Sequence, residues 1–337
     1  MASRALPRPA AARAKKAERR RAQQEAKRAA SAEARAQRAA ARGKRGRLRD
    51  LVVTPRTLKL YRAATTEFYR WCRREGIGTP RDALTFDSIV SRWAEALWQE
   101  GDMKCLLNRG LCGLAHLVPA LRGRLPGSWR LYNAWSRTEE RRQAPPLELL
   151  LAQAFAGYFV SAGESGAALR ILAAHDCILR NAEFYELRTG DVVASQQSLL
   201  LSLRDTKIGQ RLGVTQQVLC GNKWLKGRLR HWTGTLPRGE TIMQCSPVRF
   251  RWIWALARKE LRVPERYTPY GLRRGGATTC FRATSSFDRV ADRGRWGSVA
   301  ACRLYVTTSL QAAARQDFVG HHSLWQRWAS RLWEIPA

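Results

Sequence analysis

No stretch of 18 or more consecutive apolar residues occurs in the chain, so it holds no candidate for a membrane-spanning helix. Acidic residues are scarce: 27 stand against 60 Lys and Arg, which leaves a formal charge of +33. A surplus of that size points to a polyanionic partner, most simply nucleic acid. Metal-ligand spacings are missing as well. The eight cysteines include no C-x-x-C pair, and several sit in apolar surroundings such as LLNRGLCGLAHL. That pattern fits reduced, buried thiols in an intracellular protein better than disulfides or zinc. The five histidines form no ligand spacing, and His321 and His322 are adjacent, too close to face one ion from a helix. No metal is expected from these spacings.

Large apolar side chains are nearly absent from residues 1–50, a tail of Ala, Arg, Lys and Gln. Such a segment cannot bury a core alone; it is expected to be disordered, or helical on DNA. It carries 17 Lys and Arg against 4 acids, leaving a surplus of about +20 on the residues that follow. The globular part is therefore basic in its own right. The Arg- and Ala-rich start resembles an organelle transit peptide, but Glu18, Glu25 and Glu33 are foreign to one. KRGRLR at 44–49 suits nuclear import or phosphate contact. The expected location is nuclear in a eukaryote and cytoplasmic or nucleoid otherwise, with organelle targeting left open.

What the chain has in quantity is apolar and aromatic surface: 45% hydrophobic residues, including thirteen Trp, over 337 residues. This suffices for two cores plus an appendage. Thr54-Pro55 reads as a cap and a first-turn proline. Tyr61, Ala64, Phe68 and Trp71 then recur at helical spacing until Gly76. A second helix carries Phe86, Ile89, Val90, Trp93 and Leu97 and closes at Gly101; a third covers about 103–120; a fourth begins near Ser128. Residues 52–138 thus form a compact helical domain. EERRQAPP, 139–146, reads as a linker. From 147 to 180 the chain is apolar and helical. SLLLSLRD and RLGVTQQVL then read as two short strands around a turn at Ile208-Gly209, and 222–333 returns to helix. The C-terminal half is therefore mainly α with a small antiparallel sheet, divided into 147–320 and a C-terminal helix or tail, 321–337.

Four segments could carry chemistry. ILRNAEFYELRTGDV places Arg180 three residues before Glu183, which by itself describes an ion pair on an amphipathic helix. LRDTKIGQRLG places Lys207 beside the hairpin turn, where a surface lysine is ordinary. YTPYGLRRGGATTCF brings Arg273 and Arg274 against Gly275-Gly276-Ala277, a run that lets a helix pack close to a neighbour. GRWGSVAACRLY sets Trp296 nine residues before Tyr305. On one continuous helix, nine steps of about 100° leave the two on opposite faces. If they serve one site the chain must turn between them, and Gly297-Ser298 offers the turn, with Ser298 as N-cap of a short helix.

In this order and spacing the four segments resemble the catalytic domain of the tyrosine recombinase (phage integrase) family. R180-NA-E183-FYE-L187-RTG-D191-V192 is similar to its first arginine box, Lys207 to its hairpin lysine, and Tyr270-Gly271-Leu272-Arg273 to its H-x-L-R box. Trp296 and Tyr305 match the interval from its His or Trp to its nucleophilic Tyr. The LRRGGAT and GRW wording resembles recombinases of eukaryotic mobile elements. The resemblance covers most of residues 52–320 and implies a DNA breaking-rejoining fold, with 52–138 as the core-binding (SAM-like) domain and 147–320 as the catalytic domain. It further implies double-stranded DNA as partner, recombination or integration through a 3′-phosphotyrosyl intermediate without metal or cofactor, and a homo-oligomer, a tetramer on paired sites. Neither a membrane nor a small-molecule substrate is implied.

Physical chemistry gives these residues roles. Arg180 and Arg273 are permanently charged, planar donors suited to the non-bridging oxygens of a phosphodiester. Tyr305 suits the nucleophile, because a phenol can form a covalent ester and later leave. Lys207 can protonate the departing 5′ oxygen, which an arginine cannot. Trp296 is a donor only, and Glu183 supports the Arg180 segment. One departure matters: Tyr270 stands where the family usually has His, and a tyrosine hydroxyl is a poor general base near pH 7. Two alternatives therefore stay open, a silent or weakly active DNA-binding relative and a nicking-closing enzyme like the type IB topoisomerases. The segment after Tyr305 could dock on a neighbouring copy or on its own domain.

Overall fold

A computed structural model describes every residue except 1–9, 45–46, 79, 81, 140–142, 196, 205, 207–213 and 337. It divides into two units, Met1–Arg141 and Arg142–Ala337. The first opens with a long helix, α1 (Ala10–Gly43), formed by a run of good helix formers, Ala, Arg, Lys, Gln and Glu. Four shorter helices follow: α2 (Pro55–Arg74), α3 (Ala83–Gln99), α4 (Lys104–Leu117) and α5 (Pro126–Thr138).

Their ends are set by side chains and glycines. The Thr54 hydroxyl accepts the Thr57 N–H at 3.2 Å, with Pro55 in the first turn of α2. Gly76 and Gly101 follow α2 and α3 at φ +65° and +78°, conformations that cost glycine little. Phe68, Trp93, Leu107, Leu111 and Leu114 fill the core. The start of α5 is satisfied from another helix: the buried Asp87 carboxylate on α3 accepts from Gly127 N–H at 2.7 Å, Ser128 N–H at 2.9 Å and the Ser128 hydroxyl at 2.6 Å.

The second unit is built around α6 (Leu149–Ser161) and α7 (Ser165–Asp176), whose near-continuous apolar sequence buries them on most faces. After α8 (Asn181–Glu186) comes a three-stranded antiparallel sheet, β1 (Val192–Ala194), β2 (Leu199–Leu203) and β3 (Gln216–Leu219), in the order β1-β2-β3. Leu201 sits opposite both Val192 and Val218. The two expected strands are thus shorter than their sequence patterns, and β1 is a third that the patterns did not separate. The expected turn at Ile208-Gly209 lies outside the described residues.

Helices complete the unit: α9 (Lys223–Thr235), α10 (Pro247–Glu260), α11 (Tyr270–Thr284), α12 (Phe287–Gly294), α13 (Val299–Arg303), α14 (Thr308–Asp317) and α15 (His322–Ser330). Residues 321–337, set apart from the sequence as a C-terminal helix or tail, bury Trp325, Leu332 and Ile335 in this unit's own core. The Trp325 indole N–H donates to the Leu261 carbonyl at 3.1 Å. Among the described residues no helix is long and apolar enough to cross a membrane.

α11, which carries Arg273, is held tightly by its glycines. A Cβ on Gly275 would fall 1.6 Å from the Leu147 carbonyl oxygen, and one on Gly276 would fall 2.0 Å from that of His175. Gly275→Ala must therefore push α11 off the backbone at Leu147, at a cost of about 2 kcal/mol or more. Urea unfolding of the full chain should show an earlier transition for the second unit and an unchanged one for the first.

Candidate active site

Two helices of the second unit end side by side in left-handed turns. At the end of α7, Leu179 N–H bonds the Ala174 carbonyl at 3.0 Å while Ile178 adopts φ +51°. At the end of α12, Trp296 N–H bonds the Ala291 carbonyl at 2.9 Å while Arg295 adopts φ +56°. Glycine usually occupies that position; a branched Ile and an Arg there cost about 1–3 kcal/mol each. Helix C-termini present free carbonyls and negative dipole ends, so a cation between them is stabilised.

Arg273 fills that place. It is 2% exposed, and its two terminal nitrogens donate to the Ile178 carbonyl and, at 2.7 Å, to the Gly294 carbonyl. Its guanidinium lies 4.2 Å from the Trp296 ring centroid and 5.4 Å from that of Tyr305. Burial, then the nearby Arg180 and Arg295, lowers its pKa to about 10, which still leaves it charged near neutrality.

Glu183 supplies the counter-charge. Its side chain is buried, and one oxygen accepts Arg180 Nη1 at 2.6 Å. The other accepts Arg295 Nη2 at 2.6 Å and Arg180 N–H at 2.8 Å. Arg180 is therefore the residue that precedes α8 and is clamped by the helix's own third residue. Its Nη2 donates to the Arg295 carbonyl at 3.1 Å, and its side chain stays 26% exposed. Arg180 thus keeps part of its side chain open, while Arg273, Arg295 and Glu183 are buried.

The aromatic residues meet on the same face. The chain turns at Arg295, Ser298 caps α13 by accepting Ala301 N–H at 3.2 Å, and the Trp296 and Tyr305 rings come within 4.8 Å of each other. Gly294 makes room, since a Cβ there would fall 1.7 Å from the Trp296 ring. The Tyr305 and Tyr270 hydroxyls are hydrogen-bonded at 2.6 Å. Burial, then the hydrogen bond to Tyr305, pushes the Tyr270 phenol up to about 12, so it holds its proton throughout the physiological range. Six of the seven sequence-selected residues, Arg180, Glu183, Tyr270, Arg273, Trp296 and Tyr305, are thus in one place. Lys207 lies outside the described residues.

Arg295 was not selected from the sequence. The signal available was its place inside GRW, directly after a helix, where a glycine is ordinary. A cavity of about 700 Å³ elsewhere in the unit, lined by Leu150, His175, Trp224, Cys280 and Trp333 among others, includes none of the six. Asp176, Cys177 and Cys220 bring their ligand atoms within 4.8 Å of one another. The Asp176 carboxylate already holds Arg293 at 3.3 Å and Gly221 N–H at 2.8 Å. Hydrogen bonding with Cys220, with burial, raises the Cys177 thiol well above its usual pKa, which opposes a thiolate.

No protein-family model matches the sequence, and no curated protein does. Solved structures do. The integrase of transposon Tn1549, in complex with circular intermediate DNA, superposes with a TM-score of 0.51 at 14% identity, over 78% of this chain and 98% of that one. A lambda integrase dimer bound to a core site gives 0.50 at 15% identity, over 77% and 90%. The chain has the fold of the tyrosine recombinases, mainly helical with a small antiparallel sheet.

Glu183 is in contact with both Arg180 and Arg295. Glu183→Gln leaves buried guanidinium groups without a counter-ion and should cost about 3 kcal/mol of stability. Thermal and urea unfolding of the variant at neutral pH measure it.

Proposed function

We propose that this chain is a tyrosine recombinase that cuts and rejoins double-stranded DNA, with Tyr305 as nucleophile. The observation that carries the reading is the joint placement of Tyr305, Trp296 and Arg273 beside Arg180, within the fold of the tyrosine recombinases. The Tyr305 oxygen attacks a phosphodiester, forming a 3′-phosphotyrosyl ester and releasing a 5′-hydroxyl. A 5′-hydroxyl from a partner strand later attacks that ester and restores the phenol. One phosphate ester replaces another at each step, so the bond energy is conserved and neither a metal nor a cofactor is required.

Arg180 faces the incoming phosphate in this reading, because its side chain is partly exposed and Glu183 holds its guanidinium. Arg273, buried against the Trp296 and Tyr305 rings, adds fixed positive charge to the site. Lys207 is the proposed acid for the 5′ oxygen. With its pKa near 12, Tyr270 acts as a hydrogen-bond donor that aligns Tyr305 and not as its base. The proton of Tyr305 then leaves to solvent or to a substrate oxygen. The helical domain, 52–138, and the catalytic domain, 147–320, both contact the duplex in this reading, α1 adds salt-dependent affinity, and protomers assemble as a tetramer on paired sites.

One observation favours a silent DNA-binding protein: the proposed nucleophile is hydrogen-bonded to a partner that cannot take its proton. Nicked suicide duplexes tiled across the DNA flanking the coding region decide between the two. A wild-type SDS-resistant adduct that Tyr305→Phe lacks supports cleavage. Salt-sensitive binding by both proteins with no adduct from either supports the silent protein. In the active case the rate should show no inflection from Tyr270 between pH 6 and 9. Tyr270→His, which installs a base of suitable pKa, should form the adduct about tenfold faster at pH 7.

A further inference from the structure

Arg295 occupies a backbone position that glycine would take without strain, and its side chain is nevertheless buried in the middle of the candidate site. Nothing about capping α12 requires an arginine, because the cap is made by the backbone: Trp296 N–H to the Ala291 carbonyl and Arg295 N–H to that of Asp292. The side chain instead reaches back across the site. Nη2 donates to Glu183 Oε2 at 2.6 Å, Nη1 donates to the Cys177 carbonyl at 3.3 Å, and the carbonyl of Arg295 itself accepts from Arg180 Nη2 at 3.1 Å. Arg295 thus touches the end of α7, the carboxylate that clamps Arg180, and Arg180 itself.

The geometry points to Arg295 as a positioning residue for Arg180 and Arg273, a role that rests on the cleavage reading above. Its grip on Glu183 Oε2, shared with the Arg180 N–H, leaves Oε1 to the Arg180 side chain. Without it, Oε2 is held by the Arg180 N–H alone, and Glu183 can turn to chelate the Arg180 guanidinium through both oxygens, the geometry that arginine and carboxylate prefer. Arg180 would then be drawn toward the protein and would present fewer donors to phosphate. Arg295 also adds a donor at the α7 end, 3.5 Å from the Ile178 carbonyl that Arg273 uses. A lysine, with one compact ammonium, cannot serve carboxylate and carbonyl together in the same plane.

The test uses the full chain with Arg295→Gly and Arg295→Lys. Three quantities are read: thermal stability, duplex affinity at fixed salt, and the single-turnover rate of adduct formation on a suicide duplex that wild type cleaves. Glycine relieves the left-handed turn, so Arg295→Gly should fold and bind DNA within about threefold of wild type while its cleavage rate falls by about thirtyfold. Millimolar guanidinium, against sodium at equal ionic strength, should restore about threefold or more of that loss by entering the vacated place. Arg295→Lys should stay folded and cleave at least about fivefold more slowly than wild type.

Cleavage by Arg295→Gly within about twofold of wild type overturns the role. So does a parallel loss of stability, binding and cleavage that guanidinium leaves unchanged, which would mark a merely structural residue. Should Arg295→Gly fail to fold, a folded Arg295→Lys that cleaves like wild type overturns it equally. A wild type that binds every tiled duplex and cleaves none instead removes the cleavage reading, and the positioning role with it.

Discussion

Two helix ends that aim free carbonyls at one point are the constraint on which the rest of this site depends. The ends of α7 and α12 lie far apart in sequence, yet their left-handed turns bring the Ile178 and Gly294 carbonyls onto opposite nitrogens of a single guanidinium. A buried arginine without such partners would be costly. Here the dipole ends and Glu183 offset the desolvation, and the unit tolerates Arg273 and Arg295 in its interior. Strain at Ile178 and Arg295 is the cost of that convergence.

From this base the chemistry of the face follows. Arg273 cannot move without losing both carbonyls, so the Trp296 and Tyr305 rings that pack over it inherit its position. Arg180 is held at one edge by Glu183 and by the Arg295 carbonyl and keeps part of its surface open. A half-exposed face with a fixed positive underside suits one phosphate of a long polymer better than it suits a small molecule, which pockets usually enclose. In the proposed reaction, the pairing of Tyr270 with Tyr305 sets a donor beside the nucleophile, which steadies a developing phenolate but does not remove its proton.

Much of this was legible in the sequence, and the parts that were not share a cause. Thr54-Pro55, Gly76 and Gly101 announce helix ends through local chemistry, and the structure places ends there. The order of Arg180, Arg273, Trp296 and Tyr305 marked the site, through its resemblance to the boxes of the tyrosine recombinases. Arg295 was hidden, since a cap residue is recognised by glycine and neither left-handed position, 178 or 295, has one. The burial of Arg273 was hidden too, because its two carbonyl partners lie 95 and 21 residues away. β1, only three residues long, is too short for alternation to reveal.

The most direct test of the central claim is to identify the residue that carries DNA. An adduct trapped on a suicide duplex would be digested with nuclease and trypsin and its peptides sequenced by tandem mass spectrometry. The account predicts a nucleotide remnant on Tyr305, within the peptide Leu304–Arg315. A remnant on Tyr270, within Tyr267–Arg273, would contradict it, because the hydroxyl read here as the donor would then be the nucleophile.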